Sequence, residues 1–167
     1  FITDGAGGEL NPGDFERSAG DNAGVPLQEP IPADQATGSY NNGAGTSLTV
    51  QTARVSSFDI NNDNGADVAD GTISNSNSFA TVVAEYNFET SEALEVTVED
   101  ESGLDVTGQA LAGASDTNAT SPAIFDIDLS ELESGEEYTV TVAGSDDLDF
   151  GAAEQRATFE ISAQDDA

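Results

Sequence analysis

The alternation of apolar and polar residues begins near Leu48 and continues into the C-terminal part of the chain. Runs in which every second residue is apolar follow one another there, separated by turn signals rich in Gly, Asn and Ser. Because successive side chains of a strand point to opposite faces of a sheet, a period of two predicts half-buried antiparallel strands. The clearest runs cover residues 48–50, 82–88, 94–98, 125–129, 138–142 and 159–161.

The number and spacing of these runs predict the fold class. About seven short strands, with no window of helical period, indicate an all-β fold of the antiparallel β-sandwich type. We place this domain at residues 46–167. Hydrophobic residues make up 37% of the chain, which favours a folded domain with one modest core over a disordered acidic chain.

Residues 1–45 have a different composition. They hold nine of the seventeen glycines and four of the five prolines, and they show no sustained alternation. We interpret them as an N-terminal extension, either a meandering segment or an arm that docks on its own domain or on a neighbouring subunit. Exposed apolar side chains cost about 1.5–3 kcal/mol each relative to full burial, which favours docking. The apolar candidates for an assembly arm are Phe1, Ile2, Val25, Leu27 and Ile31.

A short motif in the sandwich region carries a family resemblance. Leu132, Gly135 and Tyr138 form the pattern Leu-x-x-Gly-x-x-Tyr, which resembles the tyrosine corner of immunoglobulin-like and fibronectin type III domains. The resemblance covers residues 46–163 and implies that Tyr138 opens the sixth strand and turns its hydroxyl back onto the preceding corner. The chain has neither Cys nor Trp, so the likeness is to the cysteine-free branch.

The charge balance indicates the environment in which this protein works. The chain has 33 Asp and Glu, only three Arg and Lys together, and a net charge of −30. In dilute buffer this charge works against the compact state through self-repulsion, whereas at 1 M salt the Debye length is only about 3 Å. The composition therefore indicates adaptation to brine, and the chain resembles proteins of halophilic archaea or, less often, of extremely salt-adapted bacteria. It also argues against nucleic acid as a partner, since that binding depends on cationic residues.

An Asp- and Asn-rich segment is the best candidate for a metal site. Calcium prefers six to eight oxygen ligands, and alternate side chains of a tight loop can supply them. Residues 59–70 carry such side chains at positions 1, 3, 5, 9 and 12 of a calcium-loop numbering, which predicts bound Ca²⁺, with a solvated acidic turn as the alternative. We interpret the other acidic turns as solvated charge runs, with collection of cations from the brine as the alternative. The candidate ligands are Asp59, Asn61, Asp63, Asp67 and Asp70.

Two features predict a location outside the cell. The sequence begins with Phe1 rather than Met, which we interpret as the mature product of a protein that has lost a leader, although a cloned fragment would look the same. Asn118, Ala119 and Thr120 form an acceptor triplet for N-glycosylation. No apolar stretch approaches the ~20 residues of a membrane-spanning helix.

The residue types argue against an enzyme. Cys, His and Lys are absent, so thiol, imidazole and Schiff-base chemistry are excluded and a Ser nucleophile lacks its usual base. Asp-Thr-Gly and Asp-Ser-Gly tripeptides, which would seat a proteolytic carboxylate pair, are also absent. No Gly-rich loop opens a helix in the way that nucleotide binding requires.

We therefore predict an extracellular structural subunit of a halophile cell-surface filament, pilus or surface layer. It would polymerise with copies of itself in high salt, through exchange of a strand or of the arm, with residues 25–31 or the first residues from Phe1 as the donor. One alternative is a monomeric adhesion module, or one that binds carbohydrate or protein, with Phe150 as an obvious loop aromatic. The other is a capsid or decoration protein of a virus of halophiles.

Overall fold

The computed structural model describes residues 2–3 (backbone only), 15–18, 23–28, 37–43, 47–89 and 92–163. The chain divides into two compact units, Phe1–Thr52 and Ala53–Ala167. The described strands are β1 (Ile2–Thr3), β2 (Glu16–Arg17), β3 (Gly38–Asn41), β4 (Ser47–Val50), β5 (Val55–Asn61), β6 (Gly71–Ser74), β7 (Phe79–Tyr86), β8 (Leu94–Glu99), β9 (Thr117–Asn118), β10 (Ala123–Asp128), β11 (Glu137–Gly144) and β12 (Gln155–Ser162).

The first unit has a small antiparallel sheet with the strand order β1-β4-β3-β2. Its centre is the pair β3–β4, in which Tyr40 lies opposite Leu48. The alternating run at residues 48–50, which we assigned to the sandwich, is therefore a strand of this first unit. The period of two specifies which side chains share a face, but it does not specify the partner strand. The buried cluster of the unit is Phe15, Leu27, Tyr40, Leu48 and Val50.

Arg17 packs closely within this small sheet. Its guanidinium carbon lies 6.0 Å from the centroid of the Tyr40 ring. Gly38 has a φ of +124°, and a Cβ at this position would come within 2.5 Å of the same guanidinium carbon. The guanidinium is the end of a flexible side chain and can shift, so it is the positive φ that favours glycine at this position.

The second unit confirms the predicted β-sandwich. One sheet has the order β10-β7-β5 and the other has the order β6-β12-β11-β8-β9. All neighbouring strands pair antiparallel except β6 and β12, which are parallel. Within each long strand, buried and more exposed residues alternate, as the period of two predicts.

The core of the sandwich lies between the inner faces of these sheets. In the five-stranded sheet, Val140 of β11 lies between Val98 of β8 and Ala157 of β12. The ring of Phe159 stacks on that of Tyr138, with centroids 5.8 Å apart. At about 25 cal/mol per Å² of apolar surface, burial of such side chains is the main stabilising term.

Some elements differ from the sequence expectation. A four-residue α-helix, α1 (Thr107–Ala110), follows β8, although no window had a helical period. The run at 125–129 ends as a strand at Asp128, and Leu129–Glu131 forms a 3₁₀ turn. Strands β5, β6 and β9 have too few apolar residues to show a clear period. Within the described ranges, no helix is long and apolar enough to span a membrane.

Candidate functional site

Residues 59–70, where the sequence predicts calcium, form the end of β5 and the connection to β6. Asp59 and Asn61 lie on β5 itself. Asn61 also forms an isolated antiparallel bridge with Asp67. The segment is therefore a strand end followed by a tight turn, and the candidate ligands do not all come from one loop.

The carboxylate of Asp63 holds the connection between β6 and β7. One oxygen accepts the backbone N–H of Ser78 at 2.7 Å, and the other accepts that of Phe79 at 3.2 Å. In return, the backbone N–H of Asp63 donates to the Asn77 side chain at 3.1 Å. The Asp63 side chain therefore joins two turns that are fifteen residues apart in sequence, and its role is structural.

The carboxylates of Asp67 and Asp70 also accept backbone N–H groups. Asp67 Oδ1 accepts the N–H of Ala69 at 2.9 Å. Asp70 Oδ1 accepts the N–H of Thr158 at 3.0 Å, and the Asp70 N–H donates to the Thr158 carbonyl at 2.6 Å. The φ of Asp70 is +56°, a left-handed conformation that Asp tolerates better than most residues. Asp70 thus ties this connection to β12.

The carboxylates are not gathered into a metal-binding group in the described ranges. No three of them are arranged there to hold a metal ion. The two best-anchored candidates, Asp63 and Asp70, direct oxygens at backbone amides. Bound calcium therefore stays a prediction.

Carboxylate-to-amide bonding recurs through the second unit. Such bonds are charge-assisted and stronger than bonds between neutral groups. The one ion pair between described residues joins Arg156 to Glu154 at 3.9 Å, on exposed side chains. In a chain with three cations, backbone N–H groups supply the positive partners that Lys and Arg supply elsewhere. The carboxylates concerned are Asp63, Asp67, Asp70, Glu89, Glu92, Asp100, Asp105 and Asp128.

Glu92 makes carboxylate-to-amide bonds to residues that are distant in sequence. Its carboxylate accepts the backbone N–H of Asp147 at 3.0 Å and that of Leu148, and so holds the loop between β11 and β12. Gly144 lies below this contact, where a Cβ would come within 2.0 Å of the Leu148 carbonyl oxygen. The acidic loop is therefore fixed by a side chain fifty-five residues away.

Two sets of carboxyl groups have shifted pKa values, in opposite directions. The Ser102 hydroxyl and nearby amides lower the pKa of Asp100, and Thr107 does the same for the pKa of Asp105. Burial, together with the charge of Asp116 and two other aspartates, raises the pKa of Glu95. The first set favours the folded state when ionised, whereas Glu95 opposes it.

Asn118, the predicted glycosylation residue, lies on the edge strand β9. Its Oδ1 accepts the backbone N–H of Thr120 at 3.0 Å, which closes an Asx turn. The Asn118 carbonyl accepts the Tyr86 hydroxyl at 2.9 Å. Glu89 accepts the N–H of Ser121 at 2.7 Å on the other side of the triplet. Asn118 is half-buried and Thr120 is exposed, so the triplet is presented in an ordered turn.

The corner motif has a defined geometry. Tyr138 is buried at the start of β11, and its hydroxyl accepts the Glu133 N–H at 2.9 Å. The same hydroxyl lies 3.3 Å from a carboxylate oxygen of Glu136. Leu132 is buried, and Gly135 has a φ of +90° in the turn between them. Burial raises the pKa of Tyr138, and Glu136 adds to this effect.

Two of the three candidate arm residues that the structure describes, Ile2 and Leu27, are used inside the first unit. Ile2 pairs through its backbone with Val50 of β4. Leu27 is 2% exposed in the core cluster, and Val25 is 37% exposed. Phe1 and Ile31 lie outside the described residues.

Comparison with known proteins identifies relatives of this chain that are named cell surface glycoproteins. No protein-family model matches it. A cell surface glycoprotein of Halobacterium salinarum is 38% identical over 174 residues, which cover 95% of this chain and 20% of that protein. The cell surface glycoprotein of Haloarcula japonica is 38% identical over 186 residues, covering 96% and 22%. That of Haloarcula marismortui is 37% identical over 180 residues, covering 96% and 20%.

This chain is homologous to one segment of the cell surface glycoproteins of halophilic archaea. The relatives confirm the predicted resemblance to proteins of halophilic archaea and the predicted cell-surface location. The chain spans about a fifth of the length of these relatives.

Sequence reasoning missed the amide-capping role of the carboxylates, although part of it has a local signal. Asp100, Asp105 and Asp128 each stand two residues before a Ser or Thr whose N–H they accept. That spacing is the signature of an Asx turn. Glu89 and Glu92 contact residues more than thirty positions away. For them no sequence signal exists.

Proposed function

We propose that this chain is a structural module of a halophilic archaeal surface layer or filament, which associates with copies of itself in high salt. The observation that carries the proposal is its identity of 37–38%, over most of its length, to proteins named cell surface glycoproteins. We infer no catalytic role, because the chain has no Cys, His or Lys and its relatives are named cell surface glycoproteins. The acidic surface then serves hydration and solubility in brine.

Salt controls the association in this proposal. Two copies of charge −30 repel each other in dilute buffer. At 1 M salt the screening length falls to about 3 Å, and short-range contacts between copies then decide the outcome. Association that rises with ionic strength is therefore expected.

Exchange of β1 is the form of arm exchange that fits the first unit. Ile2 and Thr3 pair with Val50 and Thr49 of the same chain. A swapped β1 would make the same ladder with β4 of another copy, so the exchanged and closed forms differ little in contacts. Concentration and the intervening segment would set the balance between them.

Electron microscopy in molar salt tests both self-association and the exchange of β1. We expect regular particles far larger than a single 17.1 kDa chain, and none in dilute buffer. Removal of residues 1–3 abolishes these particles if β1 exchange links the copies. Particles that survive the removal refute exchange but leave self-association standing, whereas dispersed single chains at every salt concentration refute both.

We also propose that Asn118 carries an N-linked glycan. The relatives are named glycoproteins, and the Asx turn holds the triplet with Thr120 exposed. Mass spectrometry of the protein expressed in a halophilic archaeon should find a glycan on the peptide containing Asn118. The variant Thr120→Ala should lose it, Thr120→Ser should retain it, and an unmodified wild-type peptide would refute the site.

A further inference from the structure

Strand β10 forms an open edge of the sandwich. It stands at one end of the three-stranded sheet, and β7 is the only described strand that pairs with it. The backbone N–H of Leu129 donates to the Ser78 carbonyl at 3.2 Å, which continues the register of that pair. Because bonded and non-bonded pairs alternate in an antiparallel ladder, the odd-numbered residues of β10 bond to β7. The N–H and C=O groups of Ile124, Asp126 and Asp128 therefore point away from β7.

The side chains along this edge divide it into an apolar part and an acidic part. Asp126 and Asp128 stand at the C-terminal end of the strand. At the N-terminal end, Ile124 is 52% exposed and lies opposite Val83 of β7, and Pro122 just before the strand is also exposed. A free edge with exposed apolar side chains is a template for pairing with another chain, and charged side chains are one device that prevents such pairing.

Brine weakens the protection that charge gives to this edge. A strand that paired with β10 would lie about 4.8 Å from it, whereas the Debye length at 1 M salt is about 3 Å. The carboxylates of Asp126 and Asp128 are then largely screened from those of an incoming acidic copy. The part of the edge around Ile124 carries no charge at any salt concentration. In molar salt, that part therefore needs a steric cover.

Asn118 lies close to the apolar part of the edge. It is on β9, the end strand of the five-stranded sheet, and only residues 119–122 separate β9 from β10. The Tyr86 hydroxyl donates to the Asn118 carbonyl at 2.9 Å, and the Tyr86 N–H donates to the Ser121 hydroxyl at 3.0 Å. The two end strands are therefore on the same side of the sandwich. Since a strand rises about 3.4 Å per residue, Ile124 lies about 10 Å beyond Ser121.

The Asn118 side chain can carry a sugar at this position. Its Oδ1 accepts the Thr120 N–H in the Asx turn. Its Nδ2, the atom to which an N-linked sugar is attached, donates no hydrogen bond to any residue that the structure describes. The triplet that begins at Asn118 is the only N-glycosylation acceptor in the sequence. The one acceptor of the chain thus stands beside the uncharged part of its open edge.

We propose that the N-linked glycan of Asn118 covers the apolar part of the β10 edge and prevents β10 from pairing with a strand of another copy. Such a glycan is bulky and hydrated, so it excludes an incoming strand at any salt concentration. The glycan protects the edge around Ile124, and the carboxylates protect the part beyond it in dilute solution. The inference rests on the proposed glycan and gives it a role. Copies are then left to associate through other surfaces, such as β4 in the exchange of β1.

Methyl NMR tests where the glycan lies. The full chain is made in a halophilic archaeon with labelled Ile and Leu methyl groups, as the glycosylated wild type and as Thr120→Ala, which keeps the N–H of the Asx turn. A soluble gadolinium chelate broadens the methyl signals that it can approach. We expect it to broaden Ile124 less in the wild type than in Thr120→Ala, and to broaden Leu104, which is 62% exposed after β8, equally in both. Equal broadening of Ile124 in the two proteins would overturn the proposal.

Sedimentation in molar salt tests the protective role. We expect Thr120→Ala to self-associate more strongly than the wild type, and Thr120→Ser, which retains the glycan, to match the wild type. Adding Ile124→Pro to Thr120→Ala removes an N–H that points away from β7. One hydrogen bond from each copy is then lost, so the added association should weaken about 30-fold. Adding Leu104→Ser instead should leave the association of Thr120→Ala unchanged. Circular dichroism verifies the fold, and Ile124→Ser replaces Ile124→Pro if proline disturbs the strand.

The outcomes separate this inference from the proposals on which it stands. An unmodified Asn118 in mass spectrometry refutes both the glycan and this inference. If Asn118 is glycosylated and Thr120→Ala associates no more than the wild type, the protective role is wrong while the glycan stands. Added association that survives the change of Ile124 uses another surface and also overturns the inference. A glycosylated wild type that stays monomeric in molar salt refutes the proposed self-association but not the cover on β10.

Discussion

Replacing Asp63 by Asn separates a structural role of the turn between β5 and β6 from calcium binding. The Asp63 carboxylate accepts two backbone N–H groups, from Ser78 at 2.7 Å and Phe79 at 3.2 Å. Asn keeps one acceptor oxygen but loses the charge and the second acceptor. If the side chain is an amide cap, the substitution weakens the turn whether calcium is present or not.

The expected loss follows from the number and exposure of these bonds. Hydrogen bonds to charged groups contribute about 1.5–3 kcal/mol each when they are well shielded. Asp63 is exposed, so solvent screening reduces the difference to about 1 kcal/mol for the pair. For a domain of this size that corresponds to a Tm lower by about 4 °C. Thermal unfolding in molar KCl, with excess EDTA or with added CaCl₂, measures it.

Asp59→Asn is the matched control, because it removes the same charge from a strand residue that would be the first calcium ligand. The amide-cap account expects Asp59→Asn to change the Tm little, and Asp63→Asn to lower it equally in EDTA and in calcium. The calcium account expects both variants to lose stability only when calcium is present. A wild-type Tm that rises steeply with calcium, together with equal losses in the two variants, would refute our reasoning.

Three further predictions concern the second unit. Tyr138→Phe leaves the Glu133 N–H without its acceptor and should lower the free energy of unfolding by about 1 kcal/mol in urea titrations; an unchanged midpoint would contradict this. Gly144→Ala places a Cβ against the Leu148 carbonyl, so soluble protein with an unchanged Tm would contradict the close approach that we describe. The pKa of Asp100 is lowered in the fold, so its contribution is complete above its ordinary value of about 3.9 and is lost as pH falls through the folded pKa. Unfolding from pH 5 to pH 2 should therefore show a smaller acid loss for Asp100→Asn than for the wild type, and equal losses would contradict the linkage.

The faces of the long strands could be predicted from the sequence. In β11, Tyr138, Val140 and Val142 are buried, and the intervening Thr139 and Thr141 are more exposed. This follows from local geometry, since the period of two holds whichever strands become neighbours. The all-β class and the halophilic character follow likewise from pattern and composition.

The pairing of strands could not be predicted in the same way. The run at residues 48–50 became β4 of the first unit rather than a strand of the sandwich. β6 pairs parallel to β12, although their sequences give no sign of it. Pairing depends on contacts between residues far apart in the chain, and one strand sequence is compatible with several neighbours.

In the candidate site too, contacts that are local in sequence could be predicted and long-range contacts could not. The sequence by itself determined that carboxylates would dominate the surface, and it contains the local Asx turns at Asp100 and Asn118. Only the tertiary structure decided that Asp63 and Glu92 hold turns that are distant in sequence. Local hydrogen bonds are fixed by spacing along the chain, whereas long-range ones exist only after the sheets have brought their partners together.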